Sequence, residues 1–165
     1  MALVVEDGSE KTNANSYVSV SEADAYHADR GNAAWANASA DEKEQALIKA
    51  TEYLDFRYYG RWKGYKATED QSLEWPREWV YDRSGWLLED IPQRLKDATC
   101  EAALRALSEE LSPDVSRDQM QRRVTVGPIT TEYQDRAPAS KQFTKVFRLL
   151  RGLVDSPGGV RITRG

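Results

Sequence analysis

The sequence predicts a mainly α-helical domain: a small bundle of about four helices, a short β-hairpin or kinked strand, and extended terminal arms. Three observations predict it. Apolar residues recur at helical spacing in four separate segments, each opened by a capping residue or a proline. One later run, RRVTVGPITTEYQD, is rich in β-branched residues and broken at Gly127-Pro128. No apolar run approaches the roughly 20 residues that a membrane span needs. A chain of 165 residues is most simply one domain, large enough to bury about 70% of its unfolded surface.

The first helix follows NSYVSVSEADAYHADRG, with Ser21 as N-cap, Glu22 and Asp24 in the first turn, and Gly31 as the stop. The second opens at Ser39, where Glu42 completes a capping box, and its stripe is Leu47, Ala50, Leu54 and Tyr58. The third starts near Pro92, behind Glu89 and Asp90, and runs through Leu95, Ala98, Ala102, Ala103, Ala106 and Leu107. Its alanines would let a neighbouring helix come close. The fourth, from about Ser140, carries Phe143, Val146, Phe147, Leu150 and Leu153 and stops near Gly152. Residues 122–135 supply the strand segment, so the helical domain is expected to cover 1–153. A basic arm follows at 154–165. Residues 59–90 are long, aromatic and poor in helix signals, as functional or interface loops are.

Composition, 40% apolar and 30% charged, reads as a globular chain. The opening MALVVEDGSEKTNANS has no basic region followed by an apolar one, so no secretory signal is expected. Cys100 is the one cysteine, which excludes an internal disulfide and a multi-cysteine zinc site and fits a reducing cytoplasm. The net charge of −4 argues against a general nucleic-acid binder. The charge is uneven, however. From Lys141 to Gly165 six cations face one acid, Asp155, so the preceding body is strongly acidic. Such a basic end would meet an acidic partner or a copy of the body; the plainer alternative is a solvated helix face plus a tail.

No enzyme chemistry is predicted, and no cofactor or metal. His27 is the only histidine, near a helix end where a structural role suffices. GSEKTN at Gly8 lacks the second glycine and the Gly-Lys-Ser/Thr ending of a phosphate loop. Acid pairs such as Glu109-Glu110 have no partner constellation.

Aromatic density is the stronger signal. FRYYGRWKGYK, residues 56–66, mixes Phe56, Tyr58, Tyr59, Trp62 and Tyr65 with Arg57, Arg61, Lys63 and Lys66. That is the mixture that grips single-stranded nucleic acid, by stacking bases and following phosphates. The alternative is packing, with Tyr58 continuing the Leu54 stripe and the cations reaching out from an aromatic patch. In LEWPREWVYDRSGW, Trp75, Trp79 and Trp86 stand among Glu74, Glu78, Asp82, Glu89 and Asp90, with only Arg77 and Arg83 as cations. Phosphates would be repelled there, so core or protein interface is expected. Candidate interface residues are Tyr59, Arg61, Trp62, Lys63, Trp75, Pro76, Arg77, Trp79 and Trp86.

Taken together, QSLEWPREWVYDRSGW, IPQRLKDATCEAALRAL and VTVGPITTEY resemble the head–tail adaptor (connector) proteins of long-tailed bacteriophages. The residues that carry the likeness are Gln71, Leu73, Trp75, Pro76, Arg77, Gly85, Pro92, Ala98, Val126, Gly127, Pro128 and Tyr133. The segments NSYVSVSEADAYHADRGNAAW and ALIKATEYLD are similar to a subgroup labelled putative DnaT-like single-stranded DNA-binding protein. The resemblance implies a virion protein of the neck, made in the host bacterial cytoplasm, whose partners are the portal protein and the next neck or tail-completion protein. It also implies a ring of copies of itself, typically twelve, that extends the DNA channel. Genomic DNA would pass through the lumen without sequence-specific contact, and no membrane is involved. The implied portal-binding arm maps to the C-terminal stretch, with Arg161, Ile162 and Arg164 as its contacts. The alternative function is single-stranded DNA binding through residues 56–66.

Overall fold

The computed structural model describes residues 2–112, 123–126, 129–132 and 143–155. In chain order the elements are α1 (Val20–Ala28), α2 (Ala33–Ala36), α3 (Ala40–Arg57), β1 (Tyr65–Lys66), β2 (Arg77–Glu78), α4 (Gln93–Ala106), β3 (Arg123–Val126), β4 (Ile129–Glu132) and α5 (Thr144–Leu150). The fold is therefore mainly helical, as the sequence predicts, with five helices among the described residues where about four were expected.

Capping chemistry sets the helix starts. Ser39 accepts the Glu42 amide while the Glu42 carboxylate takes the Ser39 amide, so α3 opens on the expected capping box. The start of α1 needs correction. Its N-cap is Ser19, not Ser21, because Ser19 stands three residues before Glu22 and forms the same reciprocal pair. Gly31, expected to stop that helix, lies three residues past its end, in a left-handed turn with φ +63°. α4 begins immediately after Pro92, which is held at φ −58°. α2 was not predicted; one turn long, it places Trp35, whose indole Nε1 donates to Asp24 at 2.7 Å.

The core forms where α3 packs on α4 and α4 on α5. The small residues Ala46, Ala50, Ala98 and Ala102 are all buried, which permits that close approach, and Leu47, Leu54, Leu95 and Leu150 are fully buried beside them. Each such leucine contributes about 1.5–3 kcal/mol. In α5, Val146 and Leu150 face inward, as does Leu153 just beyond it, whereas Phe147 stays partly exposed. The expected start of that helix at Ser140 lies outside the described residues. β3 and β4 pair antiparallel with Val126 opposite Ile129, so a hairpin rather than one kinked strand is formed. Their connection, Gly127-Pro128, and Tyr133 lie outside the described residues.

One buried ion group joins three helices. Glu101 on α4, 3% exposed, accepts the Tyr26 hydroxyl at 3.0 Å and pairs with Lys145 of α5 at 2.5 Å. Those partners hold its carboxyl below the usual range although burial pushes the other way.

Candidate functional site

The segment between α3 and α4 is where the fold departs from a helix bundle, and hydrogen bonds rather than periodicity give it shape. Gly64, at φ +69°, turns the chain into β1; a Cβ there would stand 2.1 Å from the Glu78 carbonyl oxygen. Tyr65 pairs with Glu78 and Lys66 with Arg77, antiparallel. Arg77 then serves as a staple. Its guanidinium donates to the carbonyls of Lys63 (2.8 Å), Gly64 (3.0 Å) and Glu74 (3.1 Å) and to the Glu74 carboxylate (2.9 Å). Gln71 is buried and closes the same loop, donating to Leu73 and Pro76 carbonyls and accepting the Thr68 amide. The Trp75-Pro76 peptide is cis. The Leu-x-Trp-Pro-Arg block thus acts first as a loop-forming device.

Beneath this loop lies a buried polar knot. The Tyr17 hydroxyl donates to Asp55 of α3 at 2.5 Å and accepts the Trp75 amide at 3.3 Å, while the Glu74 amide donates to the other Asp55 oxygen at 3.1 Å. Burial pushes the Asp55 carboxyl up to about 7, with nearby Glu74 adding to the rise. The N-terminal segment docks on the same loop, since Ser72 donates to the carbonyls of Lys11 and Ala14. GSEKTN belongs to this segment. Its amides at Gly8, Glu10 and Lys11 all point at the fully buried Glu6 carboxylate, at 2.8–3.0 Å. The loop is folded around an anion of its own, which leaves no cradle for a phosphate.

The aromatic and cationic stretch 56–66 divides. Tyr58 and Trp62 turn into the core, 5% and 2% exposed, and Trp62 meets Tyr58 and Trp75 with ring centroids 5.6 and 6.1 Å away. Phe56, Tyr59 and Tyr65 stay outside, at 78%, 77% and 58% exposure. Three of the cations hold the chain's own carbonyls. Arg61 donates to Asp155 at 3.0 Å, Lys63 to Gly152 at 2.9 Å and Lys66 to Gln71 at 3.3 Å. Trp62 also bridges to Val154, so residues 61–63 clamp the end of α5 and the start of the expected arm. Val154 itself is buried.

Of the candidate interface residues, Trp62, Trp75 and Pro76 are core, Arg61, Lys63 and Arg77 are half-buried staples, and Tyr59, Trp79 and Trp86 are exposed. Trp79 and Trp86 fall on a second surface. Val80 and Leu88 are joined by a backbone hydrogen bond, Tyr81 bridges to Leu87, and Asp82 accepts the Ser84 and Trp86 amides to close the tip. This protruding loop carries Trp79, Tyr81, Trp86 and Leu87, all at least 46% exposed, among Glu78, Asp82, Glu89 and Asp90. Tyr81 and Leu87 were missed from sequence, because only their pairing across the tip brings them to the tryptophans. Arg161, Ile162 and Arg164 lie outside the described residues.

Among the described residues, no group of three or more His, Cys, Asp or Glu is placed to hold a metal, and no helix is long and apolar enough to cross a membrane. His27 is packed between Tyr26 and Trp35, and burial lowers its pKa. Burial pushes the Cys100 thiol up to about 12, which suppresses the reactive thiolate.

No curated protein and no solved structure matches this chain. A family model does, over residues 1–165, and its description is putative DnaT-like ssDNA binding protein. A match over the whole chain shows the family: the chain belongs to the DnaT-like group so described.

Proposed function

We propose that this protein works by attaching polypeptide to polypeptide, as a head–tail adaptor that forms a ring beneath a portal, extends the DNA channel and docks the next neck or tail component. The observation that carries this reading is the setting of the exposed rings. Trp79, Tyr81 and Trp86 stand among carboxylates, while Arg61, Lys63 and Lys66 are engaged by carbonyls of the chain itself. Exposed aromatics set among four carboxylates, with Arg83 the one exposed cation of that loop, suit a protein partner, which lacks a phosphate backbone to be repelled. The resemblance of the 71–133 segments to adaptor sequences supports it, and residues beyond Asp155 are the candidate for portal attachment.

The second reading is single-stranded DNA binding, and the family description favours it; nothing in the comparisons speaks of a ring. On this structure it would use Phe56, Arg57, Tyr59 and Tyr65, since Trp62 is buried and Lys63 is engaged. Size determination with and without portal protein separates the two. A chain that forms a closed ring on the portal supports the adaptor. Failure to join, together with micromolar or tighter oligonucleotide binding that weakens steeply with salt, overturns it in favour of the second reading.

A further inference from the structure

Trp79, one of the exposed rings of the 77–90 segment, borders a groove of about 340 Å³. Its apolar wall is Trp79, Leu87 and Leu88, and its rim carries Glu10, Glu78, Glu89 and Asp90. None of those four carboxylates makes an ion pair among the described residues, and the one cation at the edge, Arg77, is held by Glu74 and by backbone carbonyls. The three non-glycine residues with left-handed backbone among the described residues are Glu10, Trp79 and Asp90, and all three line this groove. Strain of that kind costs about 1–3 kcal/mol per residue and is retained where the surrounding structure imposes it. A groove with an apolar wall and an acidic rim fits a short segment that carries cations beside an aliphatic side chain.

The chain has such a segment. Residues 156–165, SPGGVRITRG, hold Arg161 and Arg164 around Ile162 and contain no acid. We propose that the groove of one copy takes residues 156–165 of a second copy, with Ile162 against Trp79 and Leu87 and the two arginines at the acidic rim. The described chain gives the direction. The Lys63 amide donates to Leu153 and the Asp155 amide to Arg61, so residues 153–155 run antiparallel to 61–63. The chain therefore leaves Asp155 at the Arg61 end of that pairing, the end away from Gly64 and the turn into β1. The ten residues that follow span at most about 33–36 Å when extended, enough to reach another molecule. The contact joins unlike surfaces, tail to groove, so it propagates from copy to copy and closes as a ring when the rotation allows.

This inference concerns self-association and stands apart from what the assembled body serves. A portal that takes the same segment would compete with the groove for it, so the two can be told apart. The test uses full-length chains in sedimentation velocity over a range of concentrations. Wild type should associate as concentration rises, and less so at high salt. Glu78→Lys/Glu89→Lys, altering the groove, and Arg161→Glu/Arg164→Glu, altering the tail, should each weaken association at least tenfold while leaving the circular dichroism spectrum unchanged. Mixing the two variants should restore association, because each still offers the surface the other lacks. A wild type that stays monomeric at every concentration, or a mixture no more associated than its components, overturns the proposal. So does a groove variant that associates like wild type.

Discussion

The Asp55 carboxyl offers a prediction whose size follows from its surroundings. It faces Tyr17 from the N-terminal segment, the Glu74 amide and carboxylate from the loop, and Lys66 of β1. Burial dominates and raises its pKa from 3.8 to about 7. A carboxyl raised on folding binds a proton that the unfolded chain has already released. Its contribution to stability is therefore full below about pH 4, is lost as pH climbs toward 7, and changes little above that. At about 1.36 kcal/mol per pH unit the gap amounts to at most about 4 kcal/mol. Asp55→Asn removes the titration while keeping the shape. Urea unfolding followed by tryptophan fluorescence, run on both proteins from about pH 4.5 to 8, isolates it, because Glu22, Asp24, Glu42 and Glu101 titrate alike in each. The stability of wild type relative to Asp55→Asn should fall by a few kcal/mol across that range. A difference that stays constant, or grows with pH, would mean that the Tyr17 and Glu74 hydrogen bonds outweigh burial, and the reasoning would be wrong.

Other substitutions separate core from surface. Trp62→Ala should cost about 3–5 kcal/mol in chemical unfolding, as expected for a buried tryptophan packed on Tyr58 and Trp75, so its loss would disturb the fold whatever the protein binds. Gly64→Ala should lower the melting temperature sharply, since the added Cβ meets the Glu78 carbonyl and the left-handed backbone suits glycine alone. Phe56→Ala and Tyr59→Ala, on exposed rings, should change unfolding free energy by no more than about 0.5 kcal/mol.

Much of the helical frame was legible because its signals are local. Ser39 with Glu42 and Pro92 before an alanine stripe lie within one turn of the structure they determine. The error at α1 had the same local character. Ser19 and Ser21 both suit an N-cap, and only the three-residue spacing to Glu22 decides between them. The segment from Gly60 to Asp90 resisted sequence reasoning for a different cause. Its strands are two residues long, too short for alternation to register, and its shape comes from Arg77 and Gln71 reaching backbone carbonyls. The cations of 56–66 illustrate the limit most clearly. Their composition matches a nucleic-acid grip, yet the acceptors that engage Arg61 and Lys63 lie 94 and 89 positions away along the chain. Glu6 carried no periodic signal at all; its burial depends on a loop wrapping its amides around it.

Which partner the exposed aromatics meet is decided most directly by fluorescence anisotropy of a labelled oligothymidylate titrated with the full chain at physiological salt. Because three of the four cations in 56–66 are held by the chain and the Trp79–Trp86 surface is acidic, binding weaker than about 100 μM is predicted, roughly the nonspecific limit. A micromolar complex abolished by Phe56→Ala and Tyr59→Ala, in a protein whose unfolding is unchanged, would contradict it.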